Sequence, residues 1–222
     1  LEELSYSEEA DYWLALNETR MSPGYRLRVR GILKTQLEEF GHVKLAKITP
    51  EFVSRYQIRE KDKGSSPSTI NRQTEVISAI LNFSVRNRRI PHNPSKGFRK
   101  LKKELGEMKF LDQDEAISFL DFANKKYPSS SKERWIFVVY LLAINTGLRA
   151  GEIWGLQRQD LVQNGELLSV QRQWNRITKD YTRTKGKDSR YVPVNEYLLS
   201  EVRGVLAQHK EIRADAPIFW GR

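Results

Sequence analysis

The run Ile90-Pro91-His92-Asn93-Pro94 constrains this chain more than any other stretch. Proline locks its own φ, has no N–H to donate, and pushes the residue before it away from the helical region. No helix continues through such a run, so it firmly ends the helix before it. The 222 residues leave room for two small domains. The expected fold is mainly α with a small antiparallel β-sheet. It comprises a helical domain over 1–100, a basic linker over 101–109 and an α+β domain over 110–222.

Before the break the chain reads as short helices. Ser5 and Ser7 open a segment whose apolar residues are Tyr12, Trp13, Leu14 and Leu16. Ser22-Pro23 starts a longer helix that stops at Gly41, and Thr49-Pro50-Glu51 starts a third. The last runs from about Ser68 to Asn87, with Ile70, Val76, Ile77, Ile80, Leu81 and Val85 at helical spacing. Arg86, Arg88 and Arg89 close it, as the helix dipole prefers. Arg26, Arg28, Arg30 and Lys34 on the second helix fit either a solvated face or one that contacts phosphates.

After the break, basic residues crowd the chain from Lys96 to Lys103. A charge run is usually solvated, though between two DNA-binding lobes it could also track a phosphate backbone. Asp112 and Glu115 then make a capping-box-like start. Glu133 to about Asn145 is apolar on nearly every face, which predicts the central buried helix of its domain. Beyond Asn164-Gly165 the period changes. Leu167 to Gln171 reads as a strand that Arg172 to Thr178 could extend. Thr182 to Lys185 and Arg190 to Val194 read as two arms of one β-hairpin around Gly186-Lys187-Asp188-Ser189. Asn195 caps a final amphipathic helix.

The net charge of +10 favours a polyanionic partner, because each neutralised phosphate releases a counterion. With no cysteine, disulfides, thiolate metal sites and cysteine nucleophiles are excluded. No apolar run approaches the roughly 18 residues needed to cross a bilayer, and the start has no signal-peptide pattern. No membrane association is expected. The first residue, Leu1, suggests a longer parent.

The chemistry centres on Thr146-Gly147-Leu148-Arg149-Ala150-Gly151-Glu152-Ile153. Gly147 permits a sharp turn out of the apolar helix, and Leu148 and Ile153 anchor the residues between them. A guanidinium held at such a junction suits two oxygens of one phosphate. Alone, Arg149 reads better as a helix cap or as a partner for Glu152 than as a phosphate ligand. The whole octamer, with the Leu156 and Asp160-Leu161 beyond it, resembles the first arginine box of the tyrosine recombinases, the phage-integrase family. Thr184-Lys185-Gly186-Lys187, leading to Arg190-Tyr191-Val192-Pro193-Val194, resembles that family's lysine hairpin. Thr69-Ile70-Asn71-Arg72 and Asn93-Pro94 are similar to its core-binding domain.

The resemblance implies a SAM-like four-helix core-binding domain followed by the first part of the catalytic domain. It implies that Arg149 binds the scissile phosphate, that Glu152 supports the catalytic cluster, and that Lys185 protonates the leaving 5′ oxygen. Lys187 is the alternative to Lys185 and is otherwise a DNA contact. Ser68, Asn71 and Arg72, at a helix start, become DNA-binding candidates, although each taken singly also reads as part of a helix cap. In the family a tyrosine attacks the phosphodiester, a 3′-phosphotyrosine forms, and a 5′-hydroxyl reverses the step. No cofactor, ATP or metal is required.

The family's His-x-x-Arg box and nucleophilic tyrosine match nothing in these residues. His209 has the wrong spacing, and Tyr181, Tyr191 and Tyr197 lie in or beside the hairpin. The fragment is therefore expected to be inactive, and its parent active as a homo-tetramer on double-stranded DNA. Accessory DNA-bending or directionality factors and a place in the cytoplasm, at a bacterial nucleoid, are further expectations. Three competing readings are a non-catalytic repressor or accessory module, a type IB topoisomerase relative, and a structural protein with incidental basicity.

Overall fold

The computed structural model describes residues 4–97, 100–102, 107, 109–184, 189–208 and 213–219. They form two compact units, Leu1–Glu107 and Met108–Arg222. Among the described residues no helix is long and apolar enough to cross a membrane.

The first unit contains α1 (Tyr6–Asn17), α2 (Pro23–Phe40), α3 (Pro50–Asp62) and α4 (Pro67–Arg86). Local chemistry sets each start. Ser5 and Glu8 close a capping box on α1. Thr49 Oγ1 accepts the Phe52 N–H at 3.1 Å, with Pro50 in the first turn. The long helix begins at Pro67 rather than Ser68, because Ser66 caps it and proline fits the first helical position.

One face of each helix is apolar, and the four faces meet around Phe40. Its ring sits 4.7 Å from Tyr6, 5.3 Å from Phe52 and 5.4 Å from Tyr56, the last two edge-on. Several polar groups inside this core are paired. The Tyr6 hydroxyl donates to Gln36 Oε1 at 2.7 Å, and Gln36 Nε2 donates to the Gln73 carbonyl at 2.9 Å. The buried Glu9 carboxylate accepts from Ser84 and pairs with Arg89, which ties α1 to the end of α4.

The chain after Pro91 does not leave α4 at once. Asn93 Nδ2 donates to the Ser78 carbonyl and to Asn82 Oδ1, while Asn93 Oδ1 takes the Ser95 N–H at 2.8 Å. Eight residues beyond Asn93, the Asn71 side chain grips Leu101. Its Oδ1 accepts the Leu101 N–H at 2.8 Å and its Nδ2 donates to the Leu101 carbonyl at 3.0 Å. The chain at Leu101 is therefore tied back to α4.

The second unit contains α5 (Gln113–Lys126), α6 (Arg134–Thr146), α7 (Ala150–Gly155) and α8 (Glu196–Ala207). Its strands are β1 (Leu161–Val162), β2 (Leu167–Val170), β3 (Arg172–Asn175), β4 (Asp180–Arg183) and β5 (Arg190–Pro193). Phe137, Val138, Leu141 and Leu142 of α6 pack with Leu168, Leu198, Val202 and Ile218. The apolar helix expected at the centre of this domain is α6, although Tyr140 and Ile144 face solvent. At its first turn, buried Arg134 makes a two-bonded pair with Glu201 of α8 at 2.8 and 2.6 Å.

The strands form two antiparallel sheets, ordered β1-β2-β5 and β3-β4. This corrects the hairpin expected from sequence, because its two arms lie in different sheets. β4 pairs with β3, with Trp174 opposite Tyr181 and their rings 5.1 Å apart. β5 instead pairs with β2, placing Leu168 opposite Val192 on the core face. The chain breaks step at Gln171, and the turn beyond Asn175 is its own. Asn175 Oδ1 accepts the Ile177 N–H, and Lys179 takes φ +51°. Cross-strand aromatic pairing holds the inner hairpin and burial of Val192 draws β5 to β2, so one run of alternating residues could not reveal both.

Candidate active site around Arg149

Helix α6 ends because Gly147 adopts φ +62°, a left-handed conformation that glycine takes without penalty. Leu148 is buried against the core and Arg149 is extended, and α7 starts at once. Arg149 is the residue that caps it. Its backbone N–H donates to Glu152 Oε2 at 2.9 Å, and its carbonyl accepts the Glu152 N–H at 2.8 Å. Leu148 and Ile153, both buried, pin the junction from either side. The arginine thus stands on a rigid corner with its side chain 66% exposed.

Glu152 is the opposite kind of group, only 1% exposed. A buried carboxylate needs partners for both oxygens. Arg190 of β5 supplies them as a fork: Nη1 donates to Oε1 at 3.0 Å and Nη2 to Oε2 at 2.7 Å. Arg149 adds a longer bond from Nη1 to Oε1 at 3.2 Å. The Arg190 hydrogen bonds are the main reason the Glu152 carboxyl is held down at about 2, against the opposing effect of burial. The Arg149 backbone N–H adds to the same effect.

Helix α7 lies directly on β3. A Cβ on Gly155 would come within 2.8 Å of Gln173 Cα and 2.9 Å of the Arg172 carbonyl oxygen. Arg172 in turn reaches Asp160, donating to Oδ2 at 2.6 Å, while the same oxygen accepts the Gln157 N–H at 2.8 Å. Burial pushes the Asp160 carboxyl up, against these two partners.

Arg149 and Glu152 therefore come together as the sequence predicted, with Arg190 as a third member that sequence reasoning missed. A signal for it existed. Arg190 shares a strand face with half-buried Val192, while Tyr191 and Pro193 face out. A charged residue on the inward face of a strand calls for a buried partner. Lys185 and Lys187 lie outside the described residues. Ser68, Asn71 and Arg72 sit at the start of α4 in the first unit. Arg72 is exposed and Ser68 half-buried, whereas Asn71 is buried with both ends of its amide on Leu101. Among the described residues no cluster of His, Asp or Glu is arranged to hold a metal ion.

Comparison with known proteins gives the family and the fold. The model of the phage integrase family matches residues 109–222, just over half of the chain. The putative defective protein IntQ of Escherichia coli (strain K12) is 28% identical over 182 residues, covering 75% of this chain and 44% of that protein. The integrase of Escherichia phage P2 is 28% identical over 153 residues, 67% of this chain and 38% of its own length. Tyrosine recombinase XerC of Xylella fastidiosa (strain M23) is 28% identical over 163 residues, covering 73% and 50%. The chain thus spans half or less of the length of these relatives.

Among solved structures, the Tn1549 transposon integrase in complex with a circular intermediate DNA superposes with a TM-score of 0.80 at 19% identity. The match covers 99% of this chain and 72% of that one. A lambda integrase tetramer bound to a Holliday junction gives 0.71 at 16%, covering 92% and 56%. The fold is shared across both units, and the arginine corner lies within the family match: the chain belongs to the phage integrase family.

Proposed function

We propose that this protein is a site-specific DNA recombinase that cuts and rejoins DNA through a 3′-phosphotyrosine. The observation that carries the reading is the Arg149 corner. A solvent-facing guanidinium stands on a rigid turn, its base locked by a carboxylate whose own charge is already satisfied by Arg190. Such a group binds a phosphodiester and stabilises the extra negative charge of its transition state without rearranging. Glu152 keeps the corner in shape. Lys185 is proposed as the general acid that protonates the leaving 5′ oxygen, with Lys187 beside it on the DNA backbone.

Ser68 and Arg72, at the start of α4, are proposed backbone contacts in the first unit. Asn71 serves them indirectly by holding the connecting chain at Leu101. The partner is double-stranded DNA. The structures of similar fold include an integrase on a circular intermediate DNA and a tetramer on a Holliday junction, and a homo-tetramer on DNA is proposed here too. Accessory DNA-bending or directionality factors and a place at the bacterial nucleoid belong to the same proposal.

The 222 residues contain no His-x-x-Arg sequence, and this favours a second statement: on their own they bind DNA without cleaving it. The test is a titration of duplex DNA across salt concentrations, together with a nicked suicide substrate. Affinity is expected to fall linearly in log–log form with salt. Arg149→Ala should lower it by about tenfold, the scale of one lost charge-assisted phosphate contact. Salt-independent binding would overturn the DNA reading. A covalent adduct on this chain would overturn the claim that it does not cleave.

A further inference from the structure

Two arginines compete for one buried carboxylate at this site, and the geometry ranks them. Arg190 engages Glu152 as a fork, at 3.0 and 2.7 Å. Arg149 reaches the same carboxylate with its side chain through a single longer bond of 3.2 Å, to the oxygen that Arg190 Nη1 already holds. Its backbone N–H occupies the other oxygen. A carboxylate that is 1% exposed cannot turn to water, so it draws on whichever cations stand nearest. We propose that Arg190 is a positioning residue: by satisfying Glu152 it keeps that carboxylate from closing on Arg149, and so leaves the Arg149 guanidinium open to a phosphodiester. This rests on the recombinase reading for the identity of the anion.

The alternatives for neutralising Glu152 are few among the described residues. Helix α7 packs on β3 and α6. On β3, Arg172 is committed to Asp160. The one basic residue of α6 is Arg134, at its far end and paired with Glu201. The cations that act on Glu152 are therefore Arg149, from its own corner, and Arg190, from β5. Without Arg190, only Arg149 remains among the described residues to take both oxygens. It would then be neutralised at close range, with its fork turned inward. The two guanidiniums meet at Glu152 Oε1, so this needs a rotation of one side chain and no movement of the backbone.

The test uses this chain with Arg190→Met, Arg190→Lys, Glu152→Gln and the double variant Arg190→Met/Glu152→Gln. Melting curves confirm that each is folded at the assay temperature. The first readout is affinity for a labelled DNA duplex, and the second is the rate at which phenylglyoxal modifies Arg149, followed by peptide mass spectrometry. Arg190→Met should weaken DNA binding by about tenfold, the scale of a quenched phosphate contact, and should slow modification of Arg149 severalfold. Arg190→Lys, which offers one bond where the fork offers two, should fall between.

The double variant carries the discrimination. With the carboxylate charge removed, nothing pulls Arg149 inward, so both readouts should return to the level of Glu152→Gln alone.

Unchanged phenylglyoxal reactivity in Arg190→Met overturns the proposal. So does a double variant as weak as Arg190→Met, which would make Arg190 a direct phosphate contact or a purely structural one. Salt-independent DNA binding by the wild-type chain, with the reactivity pattern intact, would instead remove the recombinase reading and leave the competition between the arginines standing.

Discussion

Glu152 and Asp160 sit eight residues apart, and each does the same local job. Each is about 1% exposed, each accepts the N–H of the residue three before it, and each pairs with an arginine from a strand. Their titration nevertheless moves in opposite directions. Glu152 is pulled down to about 2 and Asp160 is pushed up. The difference lies in how many donors reach each carboxylate. Glu152 has a two-bonded fork, a backbone N–H and a second guanidinium. On Asp160 both donors crowd onto Oδ2, and Oδ1 has no hydrogen-bond partner among the described residues. Burial wins where the donors run out. The carboxylate that keeps a fixed charge is the one under the candidate phosphate site, where a constant field is useful. The other supports a turn.

The largest consequence is on stability. Glu152 has a folded value below its ordinary 4.5, so its contribution is full above about 4.5 and is lost as the pH falls towards 2. Glu152→Gln should therefore lose about 3 kcal/mol at neutral pH, from the drop between 4.5 and about 2 at roughly 1.4 kcal/mol per pH unit. Chemical denaturation at a series of pH values should show the deficit closing below about 4.5. A deficit independent of pH would mean that the glutamate acts through its shape and not its charge.

Next in size is Gly155→Ala, because the added methyl meets backbone at 2.8 and 2.9 Å. Backbone cannot rotate away as a flexible side chain could, so α7 must lift off β3 at a cost of about 2 kcal/mol. The strand that yields is the one carrying Arg172, which ties the two carboxylates together mechanically. If the two acids are coupled in this way, the pH dependence of both should weaken in this variant. Retention of both would show that they respond independently.

How much of this was legible depended on whether the signal was local. The spacing of Ile70, Ile77, Ile80 and Leu81, the Asp112–Glu115 box and the Arg149–Glu152 corner all act within a few residues, and the structure has each of them. The failures involve partners far along the chain. Nothing near Arg190 shows that its strand joins β2 and leaves β4 to β3. Asn71 looked like a phosphate contact at a helix start, yet the residue it holds is Leu101, thirty positions on. The apolar run around Phe137 concealed a buried arginine at its head, because Glu201, which balances Arg134, lies on the last helix. Sequence pattern shows which side chains want burial. It does not show which distant group will compensate a buried charge.

Asp160→Asn should give a smaller and opposite signal. The asparagine oxygen can still accept the Gln157 N–H, and Arg172, 18% exposed, can turn towards water. The cost at neutral pH should stay within about 1 kcal/mol, the net worth of one ordinary hydrogen bond. The direction with pH is the sharper test. Because the folded value of Asp160 lies above its ordinary 3.8, the native state binds the proton more tightly than the unfolded chain does. Wild-type stability contributed by this group therefore rises as the pH falls through that raised value, and the asparagine variant does not follow it. The gap between wild type and Asp160→Asn should widen as the pH falls from that raised value to about 3.8, whereas the gap for Glu152→Gln closes as the pH falls from about 4.5 towards 2. If both gaps close together, the donors on Asp160 outweigh its burial after all, and the two carboxylates differ in position but not in kind.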